Sequence, residues 1–170
     1  VPMSEIVKKH FVEKPGYVNY YFNELNRERV WKALVARGDY GALRGAWTID
    51  GTIGMGDKVH YEISDQAASI KLESGELKIE LDGDLATRLD PPGSGGLLVT
   101  LAMWRRLLVR GPAEFGELTY WGTAPLEGCE GLVDVLAGTH RGADCRFYFN
   151  PADGQLAALE MLSEEDTDPC

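Results

Sequence analysis

Four short segments between residues 47 and 82 alternate apolar with polar side chains, and this repeated period of two constrains the fold more than any other feature. The apolar series are Trp47, Ile49 and Ile53; Val59, Tyr61 and Ile63; Ala68, Ile70 and Leu72; and Leu77, Ile79 and Leu81. Such alternation predicts β-strands that are buried on one face. Because the links are short turns, the strands must be antiparallel neighbours, since a parallel crossover needs about a dozen residues or more. The region therefore predicts a β-meander.

Two other regions show helical periodicity. Residues 17–36 contain no glycine or proline, and their apolar residues recur at mostly helical spacing. Gly38 follows as a residue that ends the helix. This predicts one helix, or two helices joined near Asn26. In residues 97–108 the apolar side chains form one helical stripe that ends before Gly111. The second region predicts a middle helix.

The last third of the chain returns to strand-like patterns. Four more strands are predicted, at residues 117–123, 132–139, 145–150 and 155–162. An amphipathic sheet needs a cover, and the two helices are the available covers. The sequence thus predicts an α+β fold in which a curved antiparallel sheet, a half-barrel of about eight strands in two meanders, wraps around the N-terminal helix and the middle helix.

Domain organisation and partners follow from charge and composition. A single domain is predicted for residues 17–163, with residues 1–16 as a leader or linker and residues 164–170 as an acidic tail. We expect this tail to be truncated and the chain to be a fragment of a longer protein. Seventeen Lys and Arg residues against twenty-seven Asp and Glu residues give a net charge of −10, which disfavours nucleic acid as a partner. The longest apolar stretch, residues 97–104, is far shorter than the ~20 residues of a membrane span.

The polar residues do not form a recognisable catalytic, cofactor or metal motif. The glycine-rich run at residues 92–96 lacks the lysine of a phosphate-binding loop, and Ser94 has no nearby base. His10, His60 and His140 share no local motif with other metal ligands. The carboxylates on the strands alternate with apolar residues, so we expect them to face solvent: Glu62, Glu73, Glu76, Glu80 and Asp82. The residues themselves therefore predict no catalytic residue, cofactor or metal, and they leave the pairing of Cys129, Cys145 and Cys170 open.

Large aromatic side chains carry the one binding hypothesis that the pattern itself supports. Six of them lie at positions that should face the helices: Trp31, Trp47, Tyr61, Trp104, Tyr120 and Trp121. Such side chains either fill a core or line a cavity that receives an apolar ligand. The sequence favours a filled core and leaves the lining of an apolar groove as the alternative.

The second predicted meander resembles a known family. Residues 117–122 and 132–136, followed by an aromatic strand at 146–149, an Asn-Pro-x-x-Gly turn at 150–154 and a returning strand, look like the lipoprotein-localisation-factor family, called LolA-like. In that family a half-barrel sheet wraps around helices and holds acyl chains or other apolar ligands on its concave side. The resemblance implies the same fold, and it raises a carrier or sensor of a lipid or other apolar ligand as one possible function.

A narrower resemblance covers most of the chain. Residues 19–23, 29–31, 36–40 and 91–98 are similar to the accessory region that follows the protease domain in some bacterial trypsin-like serine proteases of the HtrA-like group. The resemblance implies a parent peptidase whose Gly-Asp-Ser-Gly-Gly motif and triad are absent from this chain. It implies a non-catalytic accessory domain whose partner is a protein, a protease substrate or the rest of the parent chain, in the cell envelope or periplasm.

Overall fold

A computed structural model of the chain describes residues 5–11, 15, 20–54 and 56–162. Its helices are α1 (Glu5–His10), α2 (Tyr20–Val35) and α3 (Leu97–Arg110), with two short 3-10 helices, η1 (Tyr40–Arg44) and η2 (Leu85–Thr87). Its strands are β1 (Trp47–Ile53), β2 (Asp57–Ile63), β3 (Ala67–Leu72), β4 (Gly75–Glu80), β5 (Glu117–Pro125), β6 (Leu132–His140), β7 (Ala143–Phe149) and β8 (Leu156–Leu162).

The strands confirm the predicted α+β fold and its two antiparallel meanders. They form two four-stranded sheets, with the orders β1-β2-β3-β4 and β5-β6-β7-β8. Within the described residues no ladder joins β4 to β5, so the eight strands are divided between two sheets. The connection permits this division, because residues 81–116 contain η2 and α3, and a segment of that length does not force consecutive strands to pair as a hairpin turn does.

Helix α2 is a single helix without the joint considered near Asn26. The Asn26 Nδ2 donates a hydrogen bond to the carbonyl oxygen of Phe22 at 2.9 Å, one turn earlier, and the helical backbone continues past it. The short helix α1 lies within the segment predicted as a leader, and half of that segment lies outside the described residues. The predicted acidic tail at 164–170 also lies outside them.

Cross-strand register places the apolar residues of the first sheet on one face. Ile49 pairs with Tyr61, Tyr61 with Ile70, and Ile70 with Leu77, so this row crosses all four strands. Directly opposed residues of neighbouring strands point to the same face of the sheet. We call this face, which is directed at α3, the inner face of the first sheet.

Helix α3 contacts both sheets and joins them into one core. It packs against β2 and β3 of the first sheet and against β8 of the second. The Trp104 ring lies 6.1 Å from Phe147 and 6.3 Å from Phe149, measured between ring centroids, and both phenylalanines are fully buried. The space between α3 and the second sheet is therefore filled with side chains.

Helix α2 covers the edge of the second sheet. The Asn23 Nδ2 donates to the Tyr120 carbonyl at 2.7 Å, and the Tyr120 N–H donates to the Asn23 Oδ1 at 3.2 Å. The amide side chain thus pairs with β5 as a neighbouring strand backbone would, which satisfies edge groups that otherwise invite pairing with another chain. None of the helices in the described part of the chain is long and apolar enough to cross a membrane.

Candidate functional site: an aromatic cleft beside strand β1

An open cleft of about 490 Å³ lies where η1, the start of β1 and the side of α3 that carries Trp104 and Leu108 meet. Most of its lining side chains are apolar, and two are tryptophans. The lining residues are Ala42, Leu43, Gly45, Ala46, Trp47, Thr48, Ile49, Trp104 and Leu108. We call this depression the aromatic cleft.

The cleft is open because α3 does not reach the margins of the first sheet. A helix is about 10 Å wide, whereas four strands spaced about 4.8 Å apart span more than that. The contacts of α3 with the sheet fall on the central strands β2 and β3. On the two edge strands, apolar inner-face residues remain exposed: Ile49 by 37%, Ile53 by 42% and Leu77 by 38%.

The wall formed by η1 is fixed by hydrogen bonds. The Asp39 carboxylate caps η1 by accepting a bond from the Gly41 N–H at 2.8 Å. The Trp47 indole N–H donates to the Leu43 carbonyl at 2.8 Å. Because this bond satisfies the polar edge of the indole, the ring presents its apolar face to the cleft in a set orientation.

A buried arginine attaches this wall to α3. The Arg105 side chain is only 4% exposed; its Nη2 donates to the Arg44 carbonyl at 2.8 Å and to the Gly45 carbonyl at 2.9 Å. Its Nη1 donates to the Asp65 carboxylate at 2.6 Å in the β2–β3 turn. The Arg105 and Arg110 guanidinium groups lower the pKa of Asp65. One side chain thus holds η1, β1 and the first sheet to the middle helix, so the cleft is a preformed feature.

Two of the six predicted aromatic residues meet in this cleft. Trp47 contributes from β1 and Trp104 from α3. Tyr61 lies next to the cleft on the inner face, because it pairs directly with Ile49. These three side chains are half-buried and pack against the core, and Trp47 and Trp104 also line the cleft.

The other three aromatic residues lie elsewhere. Trp31 borders a separate depression whose lining includes the charged residues Glu28, Arg37 and Arg44. Tyr120 turns inward on the second sheet, where its hydroxyl is bound. Trp121 is 67% exposed, because it occupies the irregular position of β5 where the register with β6 shifts between residues 120 and 122. The expectation that Trp121 faces a helix fails at this bulge, which sequence alternation does not reveal.

A buried polar cluster in the second sheet was not anticipated. Asp134 is buried on β6, and its carboxylate accepts two bonds from the Arg29 guanidinium, at 2.7 and 2.9 Å, and one from the Tyr120 hydroxyl at 2.9 Å. Burial alone would raise the pKa of Asp134, but the bonds from Arg29 and Tyr120 outweigh it and lower the pKa. The sequence signal for this cluster is that Asp134 lies two residues from Leu136 and therefore on the same, inward-facing side of the strand. The cluster is saturated and ties α2 to the sheet.

The remaining candidate groups stay apart. The five strand carboxylates expected to face solvent, Glu62, Glu73, Glu76, Glu80 and Asp82, are all exposed. His60 lies on the outer face of the first sheet, with its Nδ1 2.7 Å from the Asp50 carboxylate, while His140 is half-buried at the end of β6. The side chain of His10 lies outside the described ones. Within the described ranges, no three His, Cys, Asp or Glu side chains form a group able to hold a metal ion.

The structure also locates the glycine-rich run and two of the three cysteines. The Ser94 hydroxyl accepts a bond from the Leu97 N–H at 3.2 Å, so the glycine-rich run serves the start of α3. Cys129 and Cys145 are free thiols, and Cys170 lies outside the described residues.

The chain was compared with protein-family models, curated proteins and solved structures. No family model matches it, and neither a curated protein nor a solved structure shows significant similarity. The aromatic cleft is therefore the feature from which we infer a function.

Proposed function

We propose that this chain is a non-catalytic binding domain whose aromatic cleft and adjoining strand β1 receive an extended apolar segment of another polypeptide. The observation that carries this proposal is the pair of exposed inner-face isoleucines of β1, Ile49 and Ile53, on the strand that borders a tryptophan-lined depression. Monomeric proteins usually bury such side chains, and a contiguous apolar patch marks a surface that a partner covers. Aromatic side chains are also enriched at the centres of protein interfaces.

The position of β1 supports a peptide as the occupant. β1 is an edge strand, and no described strand pairs with its outer side. A peptide that adds to such an edge gains main-chain hydrogen bonds, while alternate side chains point to one face and enter its pockets. On β1 the inward positions Trp47 and Ile49 border the aromatic cleft, so every second side chain of an added strand would be directed toward it.

Charge supports the choice of partner. The chain carries a net charge of −10, which favours encounters with cationic partners and slows those with anionic ones. A peptide with basic residues around an apolar stretch fits both the cleft and this field.

The second candidate is the carrier or sensor of a lipid or other apolar ligand. Its support is the resemblance to the LolA-like family together with the apolar lining of the same cleft. Carrier pockets bury most of their ligand, whereas the aromatic cleft is open and the space between α3 and the second sheet is filled by Phe115, Phe147 and Phe149. This difference ranks a polypeptide segment above an acyl chain.

The resemblance to the accessory region of HtrA-like proteases supplies the proposed context. In that setting the cleft would engage a substrate or another part of a parent serine protease. Reading the genomic frame on both sides of this segment tests this context separately, because a neighbouring trypsin-like domain supports it and a frame that lacks one refutes it.

Calorimetric titration tests the binding proposal. The probe is a short blocked peptide in which apolar and polar residues alternate, with a lysine at each end. Its matched control keeps the length and the terminal lysines but has prolines at the positions that would pair with β1, so it cannot donate those backbone bonds. We expect the first peptide to bind, and we expect the second to bind at least about tenfold more weakly.

Protein variants locate the binding surface. Ile49→Asp and Leu43→Asp place a charge at exposed positions of the cleft, and each should weaken peptide binding at least about tenfold. Leu132→Asp is the matched control, because Leu132 is an exposed leucine on β6 away from the cleft. Equal losses in all three variants, or none, would refute the assignment. A medium-chain fatty acid that binds where the peptide does not would favour the carrier instead.

A further inference from the structure

A second, smaller cleft of about 70 Å³ lies between α3, the β2–β3 turn and the end of β6. It shares no lining residue with the aromatic cleft. Its polar lining is dominated by nitrogen-bearing side chains: Ser64, Asp65, Arg105, Arg106, His140 and Arg141. We call it the basic cleft.

Two of its arginines have no carboxylate partner. Arg105 is saturated, and Asp65 is compensated by Arg105 at 2.6 Å and by Arg110 at 3.1 Å. Within the part of the chain that the structure describes, no carboxylate lies within 4.0 Å of the guanidinium of Arg106 or Arg141. The lining therefore carries two cationic charges that no contact neutralises.

Backbone carbonyls hold both guanidinium groups in place while leaving part of each available. Arg106 donates through Nε to the Phe115 carbonyl and through Nη2 to the Glu114 carbonyl. Arg141 donates through Nη1 to the Leu81 carbonyl. The Nη1 of Arg106 and the Nε and Nη2 of Arg141 have no protein acceptor among the described residues. Positioned donors with free N–H groups are the arrangement that recognises carboxylate and phosphate oxygens.

We propose that the basic cleft binds a small oxyanion group, the carboxylate or phosphate of a ligand, between Arg106 and Arg141. One water needs about 10–15 Å³ of such volume, so about 70 Å³ admits a group of several heavy atoms and excludes a nucleotide. Arginines that approach each other without a counter-charge repel, and an oxyanion between them replaces that repulsion with charge-assisted hydrogen bonds.

His140 reports on the charge inside this cleft. Burial, together with the positive charges of Arg106 and Arg141, lowers the pKa of His140 to about 4. The charged groups that line the cleft with it are these two arginines, Arg105 and the compensated Asp65, and the carboxylates of Glu117, Asp144 and Asp84 belong to residues that pair with, bond to or lie against its chain neighbours Thr139 and Gly142. An oxyanion that offsets the arginines should raise the pKa of His140, and NMR of the imidazole ring measures that change directly.

The test is an NMR titration of the full chain with inorganic phosphate and, separately, with acetate. Sodium chloride at matched ionic strength controls for screening. We expect a saturable change of the His140 ring resonances and an upward shift of its pKa with at least one of the two anions. Saturation by phosphate alone assigns the site to phosphate groups, and saturation by acetate assigns it to carboxylates.

Three variants make the result specific. Arg141→Gln and Arg106→Gln should each weaken anion binding about tenfold or more, because each loses a charged donor. Arg37→Gln removes the same charge from an arginine that is outside the lining and pairs with Asp153, and it should change the affinity less than about threefold. Arg141 is exposed in a turn, so its variant should fold even if the Arg106 variant does not. Absence of saturation in the wild type, or equal binding by Arg141→Gln, overturns the proposal.

Discussion

Replacing Arg105 by methionine should remove the attachment between α3 and the wall of the aromatic cleft. Methionine keeps the length and apolar character of the side chain but donates no hydrogen bond. The four bonds that disappear join Nε, Nη1 and Nη2 to Arg44, Gly45 and Asp65. The perturbation therefore isolates the polar attachment from the packing of the helix.

The expected loss of stability depends on how deeply the Arg105 donors and their acceptors are buried. Breaking a fully buried charged pair costs about 3–5 kcal/mol, and a hydrogen bond to a charged group contributes about 1.5–3 kcal/mol. Arg105 is buried, but Arg44, Gly45 and Asp65 are residues with substantial exposure, and Asp65 keeps its bond to Arg110. Water can replace part of what they lose, so we expect a loss of about 2–3 kcal/mol in the free energy of unfolding.

Urea unfolding measures this loss. For m-values of about 1–3 kcal/mol/M, the midpoint of Arg105→Met should fall by about 0.7–3 M. Arg110→Met is the matched control, because it removes an arginine bonded to the same Asp65 but exposed to solvent, and it should cost less than about 1 kcal/mol. Equal midpoints for Arg105→Met and the wild type, or equal losses in the two variants, would refute the role given to Arg105.

Three further predictions concern the core and its edges. Asp134→Asn should destabilise the fold by about 2–3 kcal/mol at neutral pH. Because folding lowers the pKa of Asp134, its contribution is present above the ordinary carboxyl pKa and is lost as pH falls through the lower pKa of the folded state. The gap to wild type in urea midpoints should therefore shrink once the pH is below about 4, and a constant gap would contradict this. Gly154→Ala should lower the free energy of unfolding by about 2 kcal/mol or more, because residue 154 has φ of +71° and an added Cβ would lie 2.6 Å from the Ala33 carbonyl carbon. An added Cβ at Gly38 would meet open space, so Gly38→Ala should change the stability measured by thermal unfolding by less than about 0.5 kcal/mol. Burial raises the pKa of Cys145 to about 12. Native protein at pH 8 should therefore be alkylated by iodoacetamide at the more exposed Cys129 and not at Cys145, as measured by peptide mass spectrometry. Equal labelling of the two thiols would show that Cys145 is accessible.

The strands were predictable because their signal is local. In β2 the inward positions Val59 and Ile63 alternate with exposed polar residues, and short turns leave no choice of neighbour. The same locality explains the prediction of α3, whose apolar stripe ends before Gly111. One curved sheet was expected where two are found, because alternation within strands says nothing about how two meanders meet.

The site was only partly predictable, because the groups that build it are distant in the sequence. Trp47 and Trp104 were identified as candidates from their positions on amphipathic elements, and they meet in the cleft. Arg105 was not identified, since its partners are 40 to 61 residues away and a lone arginine on a helix resembles a solvated one. The Arg29–Asp134 pair, 105 residues apart, was missed for the same reason.

The exposed edge residues could not be foreseen from the sequence. Ile49 and Ile53 follow the same alternation as the buried Val59 and Ile63. What separates them is their place at the margin of the sheet, beyond the contacts that α3 makes. Burial at an edge strand depends on the width of the covering helix, which no pattern within the strand encodes.

Hydrogen exchange with and without the alternating peptide tests the central claim most directly. If the peptide adds to β1 beside the aromatic cleft, amides in residues 47–53 should become protected at saturating peptide. The edge strand β8 of the other sheet, residues 156–162, should be unchanged, and Ile49→Asp should abolish the protection at the same peptide concentration. Protection of β8 instead of β1, or exchange in β1 that bound peptide does not slow, would contradict the assignment of this cleft as the binding surface.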